Sequence, residues 1–401
     1  MTKKLQQEII QRIEQIYPEL VQTRRKLHQE PEISFHEYQT TSFIVETLTG
    51  YGYEVHQPLE TGCVAVLKGG KESERIIALR ADIDALPIEE EGEHKAEFLS
   101  RRNGVAHCCG HDVHTTNLLG VAKLLKEYED EVEGTIVLIF QPAEEKLPGG
   151  GRLLSESGIL QKLGVQEIYG LHTSPYHKPG EVAVKAGPLM ARPDEFTIVV
   201  IGKGGHAAAP HMAVDPIVLS GQLITLLQSI ITRQINPTDP AVLTIGKIEG
   251  GTAHNVIPEK VEMKGTVRTF DREVAEVIRA RMEATIKAVT EAAGGAYDFH
   301  WDEGYPAVKN DSGTTDNMKR VARNLLGRKQ LTEIEDPIMA GEDFAFYQEH
   351  FPGTFFFLGS GSEETGSVYP WHHPRYNVDE RAIKTGVLML AGLALDPPES
   401  S

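Results

Sequence analysis

Apolar residues recur every three or four positions from Leu5 through Ile9, Ile10, Ile13 and Ile16 to Leu20, Val21 and Leu27, a period that predicts a long amphipathic helix over 5–29. Pro18 lies inside it and is expected to bend it. A second helix is expected near 36–50. The period then changes to short β-rich runs at 53–56, 63–67 and 75–82. The runs at 135–141 and 167–171 are almost wholly apolar, as strands buried on both faces are. Between these runs, Leu118, Leu119, Val121, Leu124 and Leu125 place a helix over 112–128. The expected fold class is α/β, with a mostly parallel central sheet.

Near Ala186-Gly187-Pro188 the pattern shifts. A strand is expected at 196–201, followed by Asp215-Pro216 as the N-cap and first-turn proline of a helix reaching about residue 235. Strands at 241–249 and 261–270, a helix at 271–293 and a strand at 296–302 complete a β-α-β-β-α-β order. That order predicts a ferredoxin-like α+β insert. From about Pro306 the α/β pattern resumes, with 353–359 as another core strand. The organisation read from these shifts is a discontinuous domain, 1–187 with 306–401, interrupted by an inserted domain, 188–305.

Composition narrows the class. A chain of 401 residues is too long for one ordinary core. With 24% charged and 40% hydrophobic residues it is ordinary globular protein. A net charge of −18 argues against nucleic acid as a partner, because phosphate binding needs a basic face. Three cysteines, two of them adjacent, cannot make a disulfide framework and imply a reducing compartment. The start of the chain lacks the apolar stretch of a secretory signal, and aliphatic runs such as 136–140 are too short to span a bilayer. The expectation is a cytoplasmic protein with no membrane partner.

Between Cys109 and His114 the chain reads Cys-Gly-His-Asp-Val-His. Cysteine, and histidine two and five positions later, offer borderline or soft donors that suit zinc, cobalt or nickel better than calcium or magnesium. The run sits at the mouth of the helix over 112–128, whose positive end is expected to favour a deprotonated Cys109. The competing reading is a buried structural cysteine with solvent-facing histidines.

Ligands of open α/β sheets gather beyond the carboxyl ends of the strands. Four apolar runs end in polar residues there: 75–81 leads to Asp82 and Asp84, 135–141 to Glu144 and Glu145, 167–171 to His172, and 353–359 to a loop carrying His372 and His373. Taken singly, Glu144-Glu145 could be a solvated charge pair, His172 a core histidine, and Asp82 and Asp84 the caps of a turn toward Pro87. Together with Cys109 and His111 they supply enough N, S and O donors for two metals.

Six strings occur in order: Arg-Ala-Asp-Ile-Asp-Ala-Leu-Pro at 80–87, His-Cys-Cys-Gly-His-Asp-Val-His-Thr at 107–115, Phe-Gln-Pro-Ala-Glu-Glu at 140–145, Gly-Leu-His at 170–172, Gly-Lys-Gly-Gly-His-Ala-Ala-Ala-Pro-His at 202–211 and Ala-His-Asn-Val-Ile-Pro at 253–258. They resemble the amidohydrolase branch of the M20 metallopeptidases, which includes N-acyl-amino-acid amidohydrolases, hippurate hydrolases, auxin-conjugate hydrolases and N-acetyldiaminopimelate deacetylases. The likeness extends from Arg24-Arg25-Lys26-Leu27-His28 to Gly341-Glu342-Asp343-Phe344 and His372-His373-Pro374.

The resemblance implies a metallo-exopeptidase-like catalytic domain with an inserted lid and dimerisation domain. It also implies two divalent ions (Zn, Mn, Co or Ni) held by Cys109, His111, Glu145, His172 and His372, with Glu144 as general base. The family pattern of histidine, any residue, proline selects His372 over His373. Cys108 departs from the small residue usual there. Asp82 and Asp84 are read as residues that orient the ligands, since other M20 branches place a histidine at the first of these positions.

His206 is the implied oxyanion stabiliser; in related dimers the lid of one subunit supplies it to the other, so a homodimer or higher oligomer is expected. A solvent-exposed turn histidine is the alternative. Asn255 and Arg268 are candidates to hold a substrate carboxylate, Arg268 being otherwise a surface residue. The expected activity is hydrolysis of the amide of a small N-acyl amino acid. A dipeptidase or carboxypeptidase of the same family is the alternative within the enzyme class, and an inactive binding relative the alternative outside it.

Overall fold

The computed structural model describes residues 1–397. Its first segment runs α1 (Lys3–Gln29), α2 (Tyr38–Tyr51), β1 (Glu54–His56), β2 (Cys63–Lys68), β3 (Lys71–Asp82), α3 (His111–Glu127), β4 (Glu133–Gln141), β5 (Glu167–Ser174) and β6 (Val182–Val184). The middle segment holds β7 (Arg192–Ile201), β8 (Gly205–His206), α4 (Pro216–Arg233), β9 (Ala241–Gly250), β10 (Val256–Ile257), β11 (Lys260–Thr269), α5 (Arg272–Ala292) and β12 (Ala296–Asp302). The last segment adds α6 (Ser312–Leu325), β13 (Leu331–Glu333), β14 (Gly353–Gly359) and α7 (Ala382–Leu395).

Two compact units result, one of residues 1–189, 309–336 and 343–401, the other of 190–308 and 337–342. In the first, eight strands pair in the order β1-β2-β4-β3-β5-β14-β6-β13. The sheet is mixed. The central run β4, β3, β5 and β14 is parallel, whereas β2 pairs antiparallel with both β1 and β4, and β6 antiparallel with β14. Apolar runs disclose burial but not strand direction, so these antiparallel pairings were not visible in the residue pattern.

Local chemistry explains the main helices. Thr2 Oγ1 accepts the Leu5 N–H at 3.2 Å and caps α1, whose buried stripe Leu5, Ile9, Ile13, Ile16, Leu20 and Leu27 keeps the helical period through Pro18. That stripe and α7 pack against α3, whose Val121, Leu124 and Leu125 are fully buried. Each such side chain contributes about 1.5–3 kcal/mol. At the start of α3, Gly110 has φ 101°, and a Cβ there would lie 2.4 Å from Thr173 Oγ1. Only glycine fits a left-handed turn pressed so closely against β5.

The second unit carries its own sheet, antiparallel throughout, in the order β9-β11-β7-β12. Asp215 Oδ1 accepts the Ile217 N–H at 2.9 Å and caps α4. Leu223, Leu227 and Ile230 of α4 and Ile278, Met282 and Ile286 of α5 form its core with Ile198, Val200, Met263 and Val267 of the sheet.

Candidate metal centre

The four parallel strands β4, β3, β5 and β14 are neighbours, so their carboxyl ends share one edge of the sheet. β3 ends at Asp82, and Asp84 follows two residues later. Past β4, the turn through Ala143 presents Glu144 and Glu145. β5 extends to Ser174, so His172 belongs to the strand rather than to the loop after it, opposite Phe357 of β14. The loop beyond β14 carries His372. Ala143 and His372 are both non-glycine residues with positive φ, 50° and 65°, conformations that persist only when surrounding contacts impose them. The Ala143 N–H donates to Glu37 Oε1 at 2.7 Å, and the His372 N–H to the Cys108 carbonyl at 2.8 Å.

These elements bring the expected ligands together. Cys109 Sγ lies 3.3 Å from His172 Nε2, and Glu145 Oε1 lies 3.1 Å from His372 Nε2 and 4.0 Å from His111 Nε2. Ligand atoms of Cys109, His111 and His172 fall within 4.8 Å of one another, as do those of Cys109, Glu145 and His372, and those of His111, Glu144 and Glu145. The imidazoles are oriented from behind. His111 Nδ1 meets the Asp84 carbonyl at 3.0 Å and Asp84 Oδ1 at 3.1 Å, and His172 Nδ1 meets the Thr173 carbonyl at 2.8 Å. Each therefore turns Nε2 into the cluster. His111 Nε2 is buried there without a hydrogen-bond partner, a cost that a cation among these N, S and O donors would remove. The donor set fits divalent metal.

Residues 78–396 match the sequence model of peptidase family M20/M25/M40. The chain belongs to the M20 family. It is 43% identical to an N-acetyl-L-cysteine deacetylase of Bacillus subtilis, over 91% of this chain and 85% of that one. Thermostable carboxypeptidase 2 of Saccharolobus solfataricus is 39% identical, over 96% of both chains. Among solved structures, a dinuclear metal-binding M20 peptidase from Bacillus subtilis superposes with a TM-score of 0.80 at 37% identity, covering 95% of this chain and 98% of the other. The protein is a metal-dependent amidohydrolase of the M20 family.

Electrostatics show what this M20 centre asks of a cation. Burial alone would lower the pKa of His111, yet Asp82, Asp84 and Glu145 raise it to about 10. Burial would raise that of Asp82, yet His111, Arg80 and His114 hold it well below the carboxylate range. The Cys109 thiol is pushed well up, first by burial and then by Glu145, Glu144 and Asp82. That reverses the expectation of a thiolate favoured by the helix N-terminus: the carboxylates are close and the helix dipole is weak. Without a cation, these carboxylates favour a charged His111 imidazolium and keep the Cys109 thiol neutral.

His114, a donor by spacing, stands behind the ligands instead. Its Nδ1 lies 2.6 Å from Asp82 Oδ1, and its Nε2 accepts the Thr173 N–H at 2.9 Å, so both nitrogens are engaged. His373 stacks on Tyr369 with centroids 4.5 Å apart, while its Nδ1 accepts the Arg375 N–H. Geometry thus places His372, and not its neighbour, against Glu145. Arg80 opens the string at 80–87. It is buried and bonds Asp82 at 2.7 Å, Asp343 at 2.8 Å and Gln141 at 2.9 Å, bracing β3 against β4.

In the second unit, His206 of β8 pairs with Val256 of β10, and the Ala207 N–H donates to the Asn255 carbonyl at 3.1 Å. His206 and Asn255 line one open cavity of about 480 Å³ with Gly204, Gly205 and Pro258. Arg268 is not with them. It pairs with Pro193 and Val242, eight residues along β11 from the Lys260–Ile201 end, a span of about 26 Å at strand rise. Among the described residues, no helix is long and apolar enough to cross a membrane.

Proposed function

We propose that this M20 amidohydrolase cleaves the amide bond of small N-acyl amino acids, releasing a carboxylic acid and the free amino acid. The observation that carries the reading is the convergence of Cys109, His111, Glu145, His172 and His372 with Glu144 at one sheet edge, in a chain akin to an N-acetyl-L-cysteine deacetylase. Two divalent ions held by those five residues would supply the Lewis acidity that acidifies a water and polarises the amide carbonyl. Asp84 holds the His111 ring in register, while Asp82 fixes His114 and faces His111 Nε2 directly at 3.7 Å. Glu144 accepts the proton of the attacking water and returns it to the leaving nitrogen. His206 donates a hydrogen bond to the developing oxyanion and Asn255, which lines the same cavity, holds the substrate's carboxylate, whereas Arg268 lies too far along β11 to join Asn255 there.

We read the second unit as a ferredoxin-like lid through which two copies pair. Its β9 is an edge strand, and Val242 and Ile248 on it, with Ile217, Val218 and Leu226 of α4, are exposed. Unpaired edge and apolar surface of this kind are commonly covered by a partner. Three buried unpaired thiols support a reducing, cytoplasmic setting.

The decisive variant is Glu144→Gln, which keeps shape but cannot take a proton. Turnover of an N-acetyl amino acid is expected to fall by roughly 10²–10⁴-fold, with metal content unchanged. Wild-type turnover by the variant would exclude Glu144 as base. The kinship to a carboxypeptidase favours a second reading, peptide cleavage. Comparing N-acetyl, N-benzoyl and dipeptidyl substrates separates the two, because a dipeptide needs room for a free amine.

A further inference from the structure

Beneath the ligand set runs a line of buried charges that the reaction does not use. Asp112, next to His111 in the first turn of α3, meets Arg24 Nε at 2.8 Å and His28 Nδ1 at 2.7 Å through the same Oδ2. The other face of the His28 ring, Nε2, lies 2.7 Å from Glu90 Oε1. Lys95 Nζ reaches the same Glu90 oxygen at 2.6 Å. It also donates to the carbonyls of Tyr376 at 2.5 Å and Pro374 at 3.5 Å. Those carbonyls lie four and two residues beyond His372. Lys95 is 1% exposed, and Arg24, His28 and Asp112 are no more so. His28 and Lys95 hold Glu90 down at about 2 against the upward push of burial.

A lysine so deeply buried is costly unless its donors are all used. Here they are, and two of the three acceptors belong to the segment that carries His372. That segment is also tied down by the Trp371 Nε1–H on the Thr173 carbonyl at 2.8 Å, the His372 N–H on the Cys108 carbonyl at 2.8 Å and the Glu91 N–H on the Pro374 carbonyl at 2.9 Å, but the His372 side chain is about half exposed, its backbone is left-handed, and no helix or strand contains it. The opposite end of the charge line is anchored in α3, beside Cys109 and His111.

We propose that Lys95 is a positioning residue, which clamps the His372 loop to the charged base of α3 and so sets the affinity of the metal position that includes His372. This rests on the ligand assignment above. Lys95→Met keeps the length and apolar stem of the side chain but removes the charge and all three donors. Glu90→Gln is the gentler counterpart, preserving shape and the contact with the Ser100 N–H at 2.6 Å.

The test is stepwise titration of the metal-stripped full-length protein with Mn(II) or Zn(II), followed by calorimetry. The expected result is two binding steps in the parent, of which one is weakened roughly 10–100-fold in Lys95→Met and the other kept. Glu90→Gln weakens the same step by less. In a His372→Ala background, adding Lys95→Met has no further effect on that step, since the two changes act through one ligand. A general loss of packing would instead weaken both steps and add to His372→Ala. Equal weakening of both steps, or two unchanged steps, overturns the role of Lys95 while leaving the ligand assignment intact. A parent that takes up no ion overturns the assignment itself. Should Lys95→Met lack a cooperative melt, Glu90→Gln decides on the same criteria.

Discussion

Asp84 Oδ1 lies 3.1 Å from Nδ1 of His111, both fully buried. The other carboxylate oxygen accepts the Glu145 N–H at 3.0 Å and the Ser34 hydroxyl at 2.7 Å. One aspartate therefore orients one proposed ligand through its side chain and another through its backbone. Asp84→Asn keeps the shape but removes the charge behind the imidazole. Metal affinity is expected to drop roughly 10–100-fold with little change in fold. Calorimetric titration of the stripped variant checks this, and parent-like affinity would show that Asp84 does not orient His111.

The charge balance of the cluster makes a pH prediction with a definite sign. In the metal-free protein His111 is raised to about 10 and Cys109 stays protonated because its pKa is pushed well up. Ligation requires both protons to leave. Binding at pH 8 is expected to release about two protons per protein, and affinity to rise with pH. The proton count comes from calorimetry in buffers of different ionisation enthalpy, and binding without proton release would contradict it. Stability follows the same linkage. A raised histidine pKa stabilises the metal-free fold fully below about 6.5 and loses that contribution as pH climbs through about 10. The melting temperature of the stripped protein is therefore expected to fall between pH 7 and 10 more steeply than that of the loaded protein.

Part of this centre was legible because its donors are contiguous or punctuate apolar runs. Cys109 and His111 share one short string, and Glu145 follows a strand that the hydrophobic pattern already marked. His172 needed the same marking, although the strand proved to run on to Ser174. The roles of His114 and Cys109 were harder. Spacing makes His114 a donor, but only the fold shows Asp82 and the Thr173 N–H consuming both its nitrogens. The helix-end argument for a thiolate failed because Glu144, Glu145 and Asp82 are distant in sequence and adjacent in space. Lys95 and Glu90 lie in an aperiodic stretch between β3 and α3, where nothing in the residue pattern marks a buried charge. Arg268 looked suitable by residue type alone, and strand register sets it far along β11 from His206.

The pair His372-His373 offers an internal control. His372 Nε2 is 3.1 Å from Glu145, whereas His373 is engaged by Tyr369 and the Arg375 N–H. His372→Ala is expected to weaken one metal-binding step strongly and to lose nearly all turnover. His373→Ala removes a half-exposed stacking contact worth about 0.5–1.5 kcal/mol and the acceptor of the Arg375 N–H, neither of which touches the ligand set, so it should retain both metal steps and turnover within about tenfold of the parent. Elemental analysis with steady-state kinetics on the two variants tests this, and the reverse ranking would transfer the ligand role to His373.

Whether His206 acts on its own chain's centre or a partner's can be decided by mixing two dead variants. Glu144→Gln lacks the base but carries an intact His206, and His206→Ala lacks the oxyanion donor but carries an intact Glu144. If each working site takes Glu144 from one copy and His206 from the other, a mixed dimer contains one site with both groups and one with neither. Random exchange makes about half of the dimers mixed, so activity should recover to about a quarter of the parent value. If both groups come from one chain, every site in every dimer lacks one of them, and mixing restores nothing. Partial unfolding and refolding of the two variants together, with each refolded alone as control, gives the measurement. Recovery near one quarter, lost again when Val242 and Ile248 on the β9 edge are replaced by lysine, would place the exchange of His206 at that strand. No recovery from a mixture shown by mass to contain mixed dimers would overturn the shared site.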